Sequence, residues 1–298
     1  MILGIDKGST YTKSSKGIIL KSTVRRCYEN EIDLNNDNTV VDLFNNKYIV
    51  GNTGNYATDL MKAKHNNTKI LVYTAIAESF KEDYIKTKVI LGLPIGLYSR
   101  NKEQMKKLFI KDPKDKELVE ITVNNEKKYI LIDQVEVFPE AAGAFYTQDE
   151  KNGLVIDIGG LSVDIALFKK GKLSKYSTYS MGTMKLFSKI ANSLNSEYDL
   201  SLTEWDIRDV LKDGLYIYGK RVDLNIEGEI LAHVRQIVER LKLEYDLKMI
   251  NNVFFTGGGS MMCFDYFKKY IPQGKLMDKS QFNNVKGFEK IGQALFKE

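Results

Sequence analysis

The sequence predicts an α/β fold built twice from one unit, with two domains facing each other across a cleft. Two stretches carry this expectation. Near the start stands Leu3-Gly4-Ile5-Asp6-Lys7-Gly8-Ser9-Thr10, and at mid-chain Val155-Ile156-Asp157-Ile158-Gly159-Gly160-Leu161-Ser162-Val163-Asp164. Each reads as a buried strand, then Asp-x-Gly, then hydroxyl residues leading into a second strand. The third observation is their spacing: the two Asp-x-Gly units lie about half the chain apart.

The elements follow in order. Residues 1–24 read as strands of a hairpin meander, and 29–46, rich in Asn and Asp, as a loop holding a short strand. Residues 47–51 form a strand running into a turn, followed by a helical stretch over 56–64. Apolar residues at helical spacing predict a helix over 68–86. The run 88–94 is continuously apolar and closed by Gly and Pro, the pattern of a strand buried on both faces. A helix over 101–110 precedes a hairpin of 118–123 and 128–132, whose Asn124-Asn125 turn tolerates positive φ. A strand over 135–138 leads to Pro139, which suits the first position of a helix and would put Glu140 in its first turn. The second half repeats the plan: a hairpin over 153–167, a Lys-Gly turn at 169–172 and a third strand. Helices follow at 182–194, 202–212 and 226–246, then a strand at 253–256, a glycine turn, and helices at 261–270 and 287–296. The domain boundaries expected are 1–150 and 151–279, with the terminal helix, 280–298, packing back on the first domain.

Composition narrows the function. With 298 residues, 43% hydrophobic and 28% charged, the chain is long enough for two cored domains. Its 44 basic and 39 acidic residues are interspersed, and a net charge of +5 describes solvated faces rather than a nucleic-acid stripe. Cys27 and Cys263 are too far apart in sequence for a metal motif, and no disulfide framework is implied. Two histidines, His65 and His233, cannot build a zinc site alone and have no evident partner. The first apolar run ends at Asp6, and no window reaches the ~18 apolar residues of a membrane span, so no leader and no membrane association are expected. A cytoplasmic location with reduced thiols is the expectation.

Three glycine turns carry the chemistry. Gly8, with Ser9 and Thr10, can wrap anionic oxygens with backbone N–H and hydroxyl groups. Asp6 at the strand end is placed to hold a water on Mg²⁺, and Lys13 on the returning strand supplies a point charge. Asp157, Gly159, Gly160 and Ser162 repeat that arrangement. Gly257-Gly258-Gly259-Ser260-Met261 follows an apolar strand and opens a helix, leaving room for a flat ring or a phosphate. Glu140, between the two turns in sequence, suits the orientation of a water attacking a terminal phosphate.

The order Asp6-x-Gly8, Glu140, Asp157-x-Gly159-Gly160-x-x-x-Asp164, Gly257-Gly258-Gly259 resembles that of the actin-like ATPase superfamily over nearly the whole chain. Lys13, Tyr48-Ile49-Val50-Gly51, Gly92-Leu93-Pro94-Ile95-Gly96-Leu97-Tyr98 and Pro139-Glu140-Ala141-Ala142-Gly143 are similar to stretches of bacterial plasmid-segregation actins of the ParM type and their archaeal relatives. The resemblance implies an actin-like, ribonuclease H-like duplicated fold. It implies ATP, with GTP left open, and Mg²⁺ held through water by Asp6 and Asp157, with Glu140, Asp157 and Asp6 as the catalytic set. The nucleotide-binding set it implies is Gly8, Ser9, Thr10, Lys13, Gly159, Gly160, Ser162, Gly182, Gly257, Gly258, Gly259, Ser260 and Met261. It further implies ATP hydrolysis coupled to self-assembly into filaments, with a DNA-bound adaptor as partner. Two positions depart from the family pattern: Lys7 is charged where a neutral residue is common, and Leu161 replaces a Thr or Gly. The competing expectation is a small-molecule kinase or polyphosphate hydrolase on the same scaffold.

Overall fold

A computed structural model describes residues 1–27, 38–51, 56–112, 114 and 116–296. Residues 29–37 of the Asn-rich loop expected over 29–46 therefore lie outside the described residues. In the N-terminal half, β1 (Ile2–Lys7), β2 (Tyr11–Ser14), β3 (Ile19–Lys21), β4 (Val24–Arg26), β5 (Thr39–Leu43), β6 (Asn46–Val50), β7 (Tyr84–Leu93), β8 (Leu118–Val123) and β9 (Glu126–Pro139) form one sheet, ordered β3-β2-β1-β7-β9-β8-β5-β6-β4. The second half supplies β10 (Gly153–Ile158), β11 (Val163–Lys169) and β12 (Lys172–Tyr179). A separate hairpin of β13 (Leu215–Ile217) and β14 (Lys220–Val222) follows, then β15 (Val253–Thr256) and β16 (Gly274–Leu276). The sheet of this half runs β12-β11-β10-β15-β16. The helices are α1 (Asn67–Ser79), α2 (Tyr98–Lys107), α3 (Ala142–Phe145), α4 (Thr183–Tyr198), α5 (Asp206–Asp213), α6 (Glu227–Glu244), α7 (Ser260–Lys268) and α8 (Asn283–Leu295).

The duplication is explicit in the strand pairing. β1 is antiparallel to β2 and parallel to β7; β10 is antiparallel to β11 and parallel to β15. The next strands outward, β9 and β16, are again parallel. Each hairpin turn thus leaves the same end of the same sheet position, with Asp6 opposite Lys13 and Asp157 opposite Asp164.

Each sheet is buried by helices chosen by the period of its apolar residues. On β7, Val89 and Leu91 face α1, joining Leu71 and Ile76 in one core, while Ile90 faces α8 and packs with Val285 and Phe288. A strand covered on both faces needs the unbroken apolar run that β7 carries. In the second half Ile156, Ile158 and Phe255 share a core with Leu186, Val234, Ile237 and Phe267. α8 packs against β1 and α3, so the end of the chain returns to its beginning. Small residues permit this approach: a Cβ on Gly287 would overlap the Gly143 carbonyl oxygen, and one on Gly143 would overlap the Phe288 ring.

Several local expectations are corrected. The helix expected at 56–64 reduces to one 3-10 turn, Lys62–Lys64. α1 stops at Ser79, because Phe80 is extended and Tyr84 already stacks on Tyr129 in the sheet, ring centroids 4.9 Å apart. The separate strands expected at 128–132 and 135–138 are one strand, β9, carried across a register shift opposite Thr87 and Lys88. Pro139 ends that strand, paired with Leu93, instead of opening a helix. Ala141 then takes φ 62°, so α3 begins only at Ala142 and Glu140 sits in the link, outside any first helical turn. α2 begins three residues before expectation, at Tyr98, and α8 begins at Asn283 rather than 287. α5 covers only Asp206–Asp213, its start tied down by the Asp206 carboxylate, which accepts hydrogen bonds at 2.7 Å from the backbone N–H and the hydroxyl of Thr203. The hairpin β13–β14 was not anticipated; its strands are three residues each. By contrast Asn124 and Asn125 take positive φ as their turn requires, at 49° and 71°.

The seating of α8 is testable by crowding. Gly287→Val drives a branched side chain into the Gly143 backbone and is expected to cost about 1–3 kcal/mol. Thermal unfolding should shift down by roughly 3–10 °C. An unshifted transition would mean that α8 does not lie on α3 as described.

Candidate functional site

The two Asp-x-Gly turns meet. A Cβ on Gly160 would stand 2.9 Å from Ser9 Oγ and overlap Thr10 Oγ1, so only a bare glycine lets the turns approach this closely. Around them lies a cavity of about 160 Å³ lined from both halves, by Asp6, Gly8, Ser9, Thr10, Lys13 and Glu140 on one side and by Asp157, Gly159, Gly160, Ser162 and Gly257, Gly258 and Gly259 on the other. Gly257 has φ 86°, a conformation that favours glycine, and a Cβ there would overlap Asp157 Oδ1. Gly258 faces open space.

Three of the expected contact residues do not line this cavity. Ser260 is buried, and its hydroxyl bonds back to the Thr256 carbonyl; Met261 is 62% exposed on the outer side of α7, and Met262 lines the cavity in its place. Gly182 backs the second turn from behind, its N–H donating to Leu161 O at 3.1 Å. The next two N–H groups, of Thr183 and Met184, donate to Gly159 O and Gly160 O at 3.0 and 2.9 Å. The start of α4 thus spends its free donors on bracing the turn.

Four carboxylates converge here, all nearly buried: Asp6, Glu140, Asp157 and Asp164. Each has its own support. Asp164 accepts from Ser162 Oγ at 2.7 Å, Thr178 Oγ1 at 2.5 Å and the Ile95 N–H at 3.1 Å. Because Ile95 follows β7, that last bond joins the two halves. Gly96 N–H to Thr178 Oγ1, 2.9 Å, is a second such bond. Asp157 Oδ2 accepts from Asn284 Nδ2 at 2.6 Å, while Asn284 Oδ1 takes the Ala141 N–H at 3.1 Å. One side chain of α8 therefore fixes both Asp157 and the link that carries Glu140. Lys62 Nζ lies 3.3 Å from Asp6 Oδ1 and in direct contact with Glu140 Oε1.

Burial, aided by the neighbouring Asp164, pushes the Asp157 carboxyl up to about 7. Burial also raises Glu140, against the opposing charge of Lys62. Burial alone would lower Lys62, but Glu140 and Asp6 together hold its ammonium above the ordinary lysine range. Burial, with Lys62 nearby, brings Lys7 down to about 8. The cleft is thus short of positive charge for the carboxylates it holds, an arrangement that a divalent cation would relieve. Among the described residues no three His, Cys, Asp or Glu side chains stand close enough to ligate an ion directly. That fits a hydrated Mg²⁺ reached through waters and phosphate oxygens better than a protein-only cage.

The rim of the cavity is spanned by aromatic groups. Tyr56 stacks on Trp205, centroids 3.8 Å apart and planes within 4°. One turn along α5 from Trp205, the Arg208 guanidinium lies 4.0 Å from the centre of the Tyr11 ring. Both contacts run from the first half to the second. His65 has partners after all: Nδ1 is 3.4 Å from Lys7 Nζ and Nε2 2.8 Å from Asp59 Oδ1. His233, on the inner face of α6, is fully buried, and burial lowers it to about 4. Lys62, Asn284, Tyr56, Trp205 and Arg208 escaped the sequence reading. Each lies far in sequence from the turns it serves, and no spacing marks it.

Residues 4–143 match the family described as actin-like proteins, N-terminal domain, and residues 155–269 that described as archaeal actin homologue MreB-like, C-terminal. No curated protein matches the chain. Among solved structures, Ta0583, an archaeal actin homologue, is 17% identical over 98% of this chain and 99% of its own, with a TM-score of 0.84. The same homologue in complex with ADP gives 18% identity, 98% and 99% coverage and a TM-score of 0.82. A 15-stranded ParM filament from Clostridium botulinum gives 17% identity, 98% and 99% coverage and a TM-score of 0.80. With both halves matched, in the order that the duplicated sheets require, the chain has the actin-like fold and belongs to the actin-like superfamily.

Proposed function

We propose that this protein binds and hydrolyses ATP and assembles head-to-tail into filaments, in the service of plasmid DNA segregation through a DNA-bound adaptor. The observation that carries the reading is the meeting of the two Asp-x-Gly turns, with Glu140 and the glycine triplet opening on the same cavity. It is supported by the ADP complex of the archaeal homologue and by the filament formed by the clostridial ParM. The halves act as two domains, 1–150 with the terminal helix 280–298 and 151–279, that close on the nucleotide.

In this reading Gly8, Ser9 and Thr10 grip the phosphates from one side, and Gly159, Gly160 and Ser162 from the other. Lys13 adds a fixed positive charge. Asp6 and Asp157 hold waters of a hydrated Mg²⁺, which when bound neutralises charge on the phosphate chain. Gly257, Gly258 and Gly259 seat the nucleoside, with Gly182 and Ser260 bracing the loops from outside the cavity. Glu140 orients the attacking water and takes its proton. A self-contact that does not close on itself generates a filament. No helix among the described residues is long and apolar enough to cross a membrane, and the working location proposed is the cytoplasm.

Assembly is read by pelleting and light scattering with Mg-ATP. Sedimentable polymer that appears with ATP and shrinks as phosphate is released supports the reading. Protein that stays dispersed while phosphorylating a sugar would favour the kinase alternative.

Two substitutions separate the steps. Glu140→Gln should leave ATP affinity within about threefold and slow phosphate release by ~10²-fold or more. Turnover at the native rate would remove Glu140 from the reaction. Trp205→Ala deletes one side of the rim stack, worth about 1 kcal/mol. Release of a fluorescent ADP analogue in stopped flow should then quicken by roughly fivefold, and an unchanged rate would show that the rim does not gate release.

A further inference from the structure

Lys62 is almost wholly buried, with its side chain 6% exposed, and it is the cation closest to Glu140. Its backbone is pinned: Thr68 Oγ1 donates to Lys62 O at 2.6 Å, and the preceding Met61 N–H donates to Asp59 Oδ1 at 2.6 Å. The other two lysines of the cleft are committed elsewhere. Lys7 is 1% exposed and turned toward His65, and Lys13 lines the cavity from β2, opposite Asp6 in register. Among the described residues, Lys62 is the cation in direct contact with the carboxylate proposed to hold the attacking water. An ammonium has three donors, and Asp6 and Glu140 engage two of them. The remaining donor belongs to a group that lines the cavity.

We propose that Lys62 senses the terminal phosphate: it donates to that group when a nucleoside triphosphate is bound, and rests on Glu140 and Asp6 when it is not. The assignment rests on the ATP reading and adds to it a residue that discriminates triphosphate from diphosphate. A terminal phosphate brings negative charge to the Glu140 end of the cleft, where an anion would otherwise be repelled by two carboxylates. Lys62 offsets that repulsion and, by drawing toward the phosphate, frees a Glu140 oxygen to accept from water. A diphosphate leaves the original ion pairs intact. Lys62 also lies six residues from Tyr56, so the same short segment connects the terminal-phosphate end of the cleft with the rim stack.

The test is a competition experiment on the full chain. A fluorescent ADP analogue is displaced by ADP or by a non-hydrolysable ATP analogue, with Mg²⁺ and again with EDTA. Lys62→Met should lose about 10- to 100-fold in affinity for the triphosphate analogue, the span of one hydrogen bond to a charged group. Its affinity for ADP should change less than about threefold, and Lys62→Arg should retain most of the triphosphate preference. Because Lys62→Met leaves two buried carboxylates without their cation, it is paired with Lys62→Met/Glu140→Gln, which removes one of those charges and must show the same selective loss. Equal losses for both nucleotides, or no loss, would overturn the assignment. Wild-type protein that binds neither nucleotide would overturn the ATP reading itself, and this assignment with it.

Discussion

Burial of like charge is the constraint on which this molecule turns. Asp6, Glu140, Asp157 and Asp164 are withdrawn from water around one cavity, where isolated carboxylates are costly. The chain answers with specific partners, all but Ser162 distant in sequence: Lys62 for Asp6 and Glu140, Asn284 for Asp157, and Thr178, Ser162 and the Ile95 amide for Asp164. Those partners come from a short turn after the first meander, from α8, from β12 and the β10–β11 turn, and from the residues that follow β7. Satisfying the carboxylates and assembling the tertiary structure are therefore the same event. The site stays short of positive charge even so, a condition that favours a bound cation.

The scaffold beneath follows from duplication. A hairpin followed by a parallel strand, made twice, brings each Asp-x-Gly turn to the same end of its sheet. With the two sheets on opposite sides of one cavity the turns come into contact, but only if the contacting position has no side chain. Gly160 against Ser9 and Thr10 meets that condition. α8 then locks the arrangement by returning to the first sheet while lending Asn284 to the second.

The halves share a buried apolar cluster, in which the Phe145 and Phe168 rings stack 3.8 Å apart, and two further kinds of contact lie beside it. Directional hydrogen bonds, Ile95 to Asp164 and Gly96 to Thr178, set a relation that tolerates little displacement. The rim contacts, Tyr56 on Trp205 and Arg208 on Tyr11, are flat stacks that can separate without stranding a buried polar group. A molecule held firmly by that buried cluster and by hydrogen bonds, and more loosely by stacked rings at the edge, has the means to open at the rim. The cavity that these contacts border measures about 160 Å³.

Local chemistry by itself determined the duplicated α/β plan, because strands, glycine turns and hydroxyl residues act over a few neighbours and leave their pattern in the linear chain. Asp6, Asp157, Gly8, Gly160 and the glycine triplet were legible for that reason. The start of the helix after Pro139 was not: Pro139 satisfies the local rule for a helix start, yet its pairing with Leu93 in the sheet overrides it and moves Glu140 into a link. The helix expected over 56–64 failed similarly, since nothing local announces that Lys62 is needed by two carboxylates, one 56 and the other 78 positions away. Which lysine is buried, which asparagine of α8 reaches Asp157 and which rings meet at the rim were decided only when the halves came together. Those choices depend on long-range electrostatics and packing, and neither has a period that a sequence can display.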